Sequence, residues 1–144
     1  MAGWLRWLRW LLVLPVAWLS WIVAAMVALT LYTIAETLCP REQMISGLCT
    51  APWFDHAERA ILSFGAGLAA ALITVSCTLL APSHRRVVVV VTLLAGSAIA
   101  LSMGLKSGHY LALVTAVVAG LAAAWWLRRS GWLAETRAER SVTA

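Results

Sequence analysis

The sequence is poor in charged residues. Only 12% of its 144 residues are charged, whereas 62% are hydrophobic, and the mean hydropathy is +0.87. So few polar side chains cannot cover a water-facing surface of this size, and the composition therefore excludes a soluble globular domain. Because a spanning helix needs about 20 apolar residues, the chain has room for at most four or five spans joined by short loops. The composition predicts an integral membrane protein.

Motifs for catalysis and cofactor binding are also lacking. The chain has no Gly-rich phosphate loop, no Ser-His-Asp candidate set and no His-x-x-x-His zinc spacing. The net charge of +5 does not indicate nucleic-acid binding, because the basic residues flank apolar runs instead of clustering on a soluble face. We therefore predict no catalytic residue, no metal, no cofactor and no nucleic-acid partner.

Four apolar runs predict the fold. They cover about residues 11–34, 60–81, 87–105 and 110–127, and each is long enough to cross a bilayer as a helix. We predict an all-α membrane protein, an antiparallel bundle of four transmembrane helices that forms a single domain over residues 1–144. An outer loop at 35–59 and a polar tail at 128–144 complete it. The alternative for the first run is a signal peptide, but the run is about twice the length of a signal core.

Local signals mark the ends of these helices. Pro82 stops the second helix because proline cannot donate the next backbone hydrogen bond, and Gly131 is a candidate cap after the fourth. Asp55 is predicted to cap the start of the second helix, with Glu58 reaching back to it. Trp53 and Phe54 precede this cap and are typical of an aromatic belt at the membrane interface, or of a docking patch.

The charges predict the orientation. The segments on the side of both termini carry eight basic and two acidic residues, for a net charge of +6, whereas the opposite side carries three basic and four acidic residues, for −1. By the positive-inside rule, both termini lie in the cytoplasm. The bias towards Arg, Ala, Leu and Val is typical of GC-rich bacteria, so we expect a bacterial inner membrane.

Two of the three cysteines lie in the outer loop. Cys39 and Cys49 would close an 11-residue ring in an oxidising exterior. A redox pair is the alternative, but catalytic dithiols usually have Cys-x-x-Cys spacing, so we predict a structural disulfide folded onto the helix ends. Cys77 is predicted to be a small packed residue.

Ionisable residues are absent from the interiors of all four apolar runs, which argues against an ion-coupled transporter working alone. They gather at the outer helix ends instead, where they could form a metal or headgroup site. Alternatively, they cap helices and pair with Arg41 or Arg59. The candidate outer-face residues are Glu36, Asp55, His56, Glu58 and His109.

The opposite side carries a basic face for which anionic lipid headgroups are the expected neighbours. It consists of Arg85, Arg86, Arg128 and Arg129. Small residues at four-residue spacing predict close helix packing, either within the chain or between copies. These are Gly96, Ala100 and Gly104 on the third run and Ala112, Ala116 and Gly120 on the fourth.

Three functions fit these patterns. The leading hypothesis is an accessory or interaction subunit, which acts by homo-oligomerisation or within a larger membrane complex. The second is a small oligomeric transport or lipid-handling protein gated at its outer face. The third is a membrane enzyme that uses a quinone or a metal.

Overall fold

Four long helices dominate the structure, a computed structural model that describes residues 2–45, 47–81, 85–107 and 110–132. They are α1 (Ala2–Thr37), α2 (Phe54–Leu80), α3 (Arg85–Ser107) and α4 (Tyr110–Arg129). Each contains a segment long and apolar enough to cross a membrane. The predicted all-α class and the four apolar helices are confirmed for this part of the chain.

The helices extend beyond the predicted apolar runs. The 36 residues of α1 correspond to about 54 Å, which exceeds a hydrocarbon core of about 30 Å. Likewise, α2 begins at Phe54, six residues before the predicted run at 60–81. Hydropathy locates the apolar stretch, but backbone hydrogen bonding continues the helix through the polar residues beside it.

The predicted cap of α2 is wrong. The N-cap position is occupied by Trp53, whose side chain makes no capping hydrogen bond, and Asp55 lies inside the first turn. The Phe54 N–H bonds to the Ala51 carbonyl, and the Ala57 N–H makes the first helical bond, to the Trp53 carbonyl. At the other predicted cap, Gly131 follows α4 with a φ of +79°, and its N–H bonds to the Arg128 carbonyl, as expected.

Helix α2 lies at the centre of the fold. It packs extensively on α1 and α4, whereas α3 packs on both α4 and α2. Helices α1 and α2 run antiparallel. Ser20 contacts Ser76 near the end of α2, whereas Tyr32, later in α1, contacts Phe54 at the start of α2. α1 packs mainly on α2 and has the least buried spanning segment of the four, so most of its surface is open.

Small residues bring the helices together. A Cβ placed on Gly65 of α2 would lie 2.9 Å from the Ala28 Cβ of α1, and one on Gly67 would lie 3.5 Å from the Ala119 Cβ of α4. Gly120 is equally close to Leu93 of α3. These glycines therefore allow α1, α3 and α4 to approach their neighbours.

The predicted packing stripe on α3 is not buried along its whole length within the chain. Gly96 is exposed, and a Cβ there would meet no atom within 4 Å, whereas Gly104 on the same stripe is buried and Ala100 is half-buried. On α4, Gly120 is buried and Ala112 and Ala116 are half-buried. A four-residue repeat does not determine which side of a helix faces its neighbours.

Hydroxyl groups link the helices across the apolar interior. The Ser20 and Ser76 hydroxyl oxygens lie 3.0 Å apart between α1 and α2, and the Thr115 hydroxyl oxygen of α4 lies 2.9 Å from the Ser63 carbonyl of α2, within hydrogen-bond distance. These contacts satisfy polar groups in a region where water would be absent.

A candidate functional site at the hairpin end

A disulfide-closed hairpin covers one end of the helices, called here the hairpin end. A short 3₁₀ turn (Arg41–Gln43) leads into strands β1 (Met44–Ile45) and β2 (Leu48–Cys49), which pair antiparallel. Gly47, in the two-residue turn between the strands, has a φ of +84°, a conformation that glycine adopts without steric cost. The predicted disulfide joins Cys39 to Cys49, whose Cα atoms lie 6.0 Å apart.

The hairpin is fixed onto the helix ends. Ala35, Cys39, Cys49, Ala51 and Phe54 form a buried apolar cluster, against which Tyr32 and Ile61 pack. The Tyr32 and Phe54 rings meet edge to face with centroids 5.6 Å apart. The ring therefore folds onto the helices as predicted. Phe54 is buried in this cluster, whereas Trp53 is exposed.

Several large apolar side chains project from this hairpin end. Leu38 is 70% exposed and Ile45 is 64% exposed, and Met44 and Trp53 are about two-fifths exposed. They are called the apolar cap residues below. The disulfide and the buried cluster hold the backbone of this region, so the apolar cap residues are displayed on a braced support.

Two of the predicted outer-face residues lie one turn from a contact between α1 and α2 that was not predicted. Glu36 lies one turn after Tyr32 on α1, and Glu58 lies one turn after Phe54 on α2, where the Tyr32 and Phe54 rings meet. Both glutamates are half-buried. The side chains of Tyr32, Glu36 and Glu58 are called the acidic cluster below. Tyr32 lies one helical turn before Glu36, and this four-residue spacing in the sequence already indicates that the two side chains share one face of α1.

The other predicted outer-face residues do not join the acidic cluster. Asp55 and His56 are exposed on the first turn of α2, and His109 lies outside the described residues. Among the residues that the structure describes, no group of three His, Cys, Asp or Glu side chains could hold a metal ion. The expected pairing of Glu36 with Arg41 or Arg59 is absent, since no ion pair joins these described residues within 4.0 Å.

An apolar groove runs along the junction of α1 and α2 towards the acidic cluster. It has a volume of about 310 Å³ and reaches from Trp21 to Tyr32 on α1, with Ile61 to Ala69 as the opposite wall. Gly65 meets Ala28 in this junction, so small side chains line its narrowest part. The larger side chains of Trp21, Leu29 and Leu62 are exposed along it.

The predicted basic residues lie at the opposite end of the helices, called here the arginine end. Arg85 donates to the carbonyls of Trp132 at 3.2 Å and Ala81 at 3.3 Å, and its guanidinium lies 5.7 Å from the Trp132 ring centroid. Arg129 is similarly placed over Trp125, at 5.3 Å. Arg85 thereby links the start of α3 to the chain that follows α4, and Arg128, near the end of α4, is exposed.

The comparisons with known proteins place the chain in no family. No family model, no curated protein and no solved structure matches it.

Proposed function

We propose that this chain is a multi-pass protein of a bacterial inner membrane that acts as an interaction subunit, by self-association or beside a larger membrane complex. The four long apolar helices support membrane insertion. The charge distribution of the sequence supports cytoplasmic termini, with the hairpin end outside and the arginine end inside.

The apolar cap residues carry the proposal. Leu38 and Ile45 lie beyond the predicted apolar runs at 11–34 and 60–81, yet both are more than 60% exposed. Large exposed apolar groups on a rigid support are typical of protein interaction sites, because little conformational entropy is lost when they bind. An aromatic anchor such as Trp53 beside them is also typical of a binding hot spot.

The position of α1 adds support. Because this helix packs mainly on α2, it leaves a long apolar surface on which a helix of a partner or of a second copy can pack. The absence of ionisable residues from the interiors of the apolar runs also favours association over ion-coupled transport.

The test is native mass spectrometry of the full chain purified in a mild detergent. We expect a defined complex, either a homo-oligomer or a stoichiometric assembly with another membrane protein. In the double variant Leu38→Gln/Ile45→Thr, that complex should dissociate, and the melting temperature of the helices should not change. The matched control is Gln43→Ala, which alters an exposed polar residue of the same loop and should retain it. A strict monomer without a stoichiometric partner would contradict the proposal.

A further inference from the structure

We propose that the groove between α1 and α2 binds one acyl chain of a membrane lipid whose headgroup carries a primary ammonium, with that ammonium held by the acidic cluster. Phosphatidylethanolamine has this chemistry. The binding does not require association with another protein, although it assumes the membrane insertion proposed above.

The dimensions of the groove fit one leaflet. Trp21 and Tyr32 mark its extent along α1, and 11 residues of helix correspond to about 16 Å. This is close to half of a hydrocarbon core of about 30 Å. A chain lying in the groove would therefore enter from the headgroup region at the hairpin end and reach about the centre of the bilayer.

The lining of the groove fits an alkyl chain. Its walls are almost entirely apolar, and the small residues Ala25, Ala28, Gly65 and Ala69 keep it open. An alkyl chain needs no hydrogen-bond partner along its length, so such a lining can hold it by dispersion contacts alone.

The charge at the mouth selects the headgroup. Glu36 lies one turn beyond Tyr32 on α1, and Glu58 lies seven residues before Gly65, on the same face of α2. The acidic cluster is thus the next layer above the groove on both helices. No cation among the described residues pairs with either carboxylate, so a lipid ammonium can supply the complementary charge. A primary ammonium also has three donors for carboxylate oxygens, which the trimethylammonium of phosphatidylcholine lacks.

The experiment adds an equimolar mixture of dioleoyl phosphatidylethanolamine, phosphatidylcholine and phosphatidylglycerol to the purified full chain and measures the bound lipid by native mass spectrometry. We expect a preference of about tenfold for phosphatidylethanolamine over each of the others, because charge-assisted hydrogen bonds supply that selectivity. Equal binding of the three lipids would overturn the proposal.

Two sets of variants localise the binding. The double variant Glu36→Gln/Glu58→Gln should abolish the preference and leave the helix content unchanged, whereas the control Glu42→Gln, on the exposed 3₁₀ turn, should keep it. Retention of the preference in the double variant would overturn the assignment of the headgroup site. Ala69→Leu should fill the groove and reduce bound lipid about tenfold, whereas Ala95→Leu on the exposed side of α3 should not.

The same spectra separate this proposal from the association proposed above. Lipid adducts on a monomer that depend on Glu36 and Glu58 would support the groove even if no protein partner is found. A dimer that forms without lipid and is lost in Ala69→Leu would show that a second copy occupies the groove, and would overturn the lipid assignment.

Discussion

Gly65 of α2 packs directly against Ala28 of α1, since a Cβ on Gly65 would lie 2.9 Å from the Ala28 Cβ. A Cβ is fixed to the backbone and cannot rotate away. A clash here could be relieved only if a whole helix moved. The contact therefore sets the distance between α1 and α2 at the junction that also forms the groove.

We expect Gly65→Ala to destabilise the protein by about 1–3 kcal/mol, because overpacking forces the helices apart. The matched variant Gly120→Ala should cost less, because its added Cβ meets the Leu93 Cδ2, the end of a flexible side chain. Gly96→Ala is the control in open space. Thermal unfolding in detergent, monitored by circular dichroism, ranks the three variants by their melting temperatures. Equal effects at Gly65 and Gly96 would show that the close contact does not limit packing.

Removal of the Cys39–Cys49 disulfide should lower stability by about 2–3 kcal/mol, because the ring no longer restricts the unfolded chain. We expect the double variant Cys39→Ser/Cys49→Ser and the reduced natural chain to show the same lower melting temperature. Reductant should not affect the double variant, because Cys77 is its remaining cysteine and is buried as a free thiol.

The same double variant shows whether the disulfide ring only stabilises the fold or is itself part of the binding interface. If the disulfide only braces the apolar cap residues, association should persist at temperatures where the variant is folded. Loss of association at unchanged stability would instead make the ring part of the interface. Native mass spectrometry at a temperature well below the melting transition distinguishes these results.

Arg85 should stabilise the arginine end through its bonds to the Trp132 and Ala81 carbonyls. We expect Arg85→Ala to cost about 1 kcal/mol, the net value of such hydrogen bonds at a partly exposed site. Arg128→Ala removes a charge from the same end at an exposed position and serves as the control. If the two variants melt at the same temperature, the contacts of Arg85 add nothing to stability.

The proposed orientation predicts the accessibility of introduced thiols. Asp55→Cys, at the hairpin end, should react with a membrane-impermeant maleimide in intact bacterial cells. Ser130→Cys, at the arginine end, should react only after the cells are permeabilised. Both positions are exposed, so a difference in labelling reports the side of the membrane. The reverse pattern would refute cytoplasmic termini, and labelling of both in intact cells would refute a membrane barrier between them.

The sequence by itself determined the helical class, the four apolar helices, the disulfide pairing and the Gly131 cap. Each of these depends on local information, such as the length of an apolar run, the spacing of two cysteines in one loop or the residue after a helix. The start of α2 is a local feature for which the prediction from sequence is wrong, because the helix begins before Asp55 and the N-cap position is Trp53.

Only the tertiary structure decided which helices are neighbours and which residues meet. Gly96 and Gly120 have similar four-residue repeats in the sequence, yet Gly96 faces open space and Gly120 faces Leu93. Tyr32 and Phe54 lie 22 positions apart in the sequence and come together only because α1 and α2 pack in one particular register. Helix rotation and register arise from the summed packing of all side chains at a junction, which no single local pattern encodes.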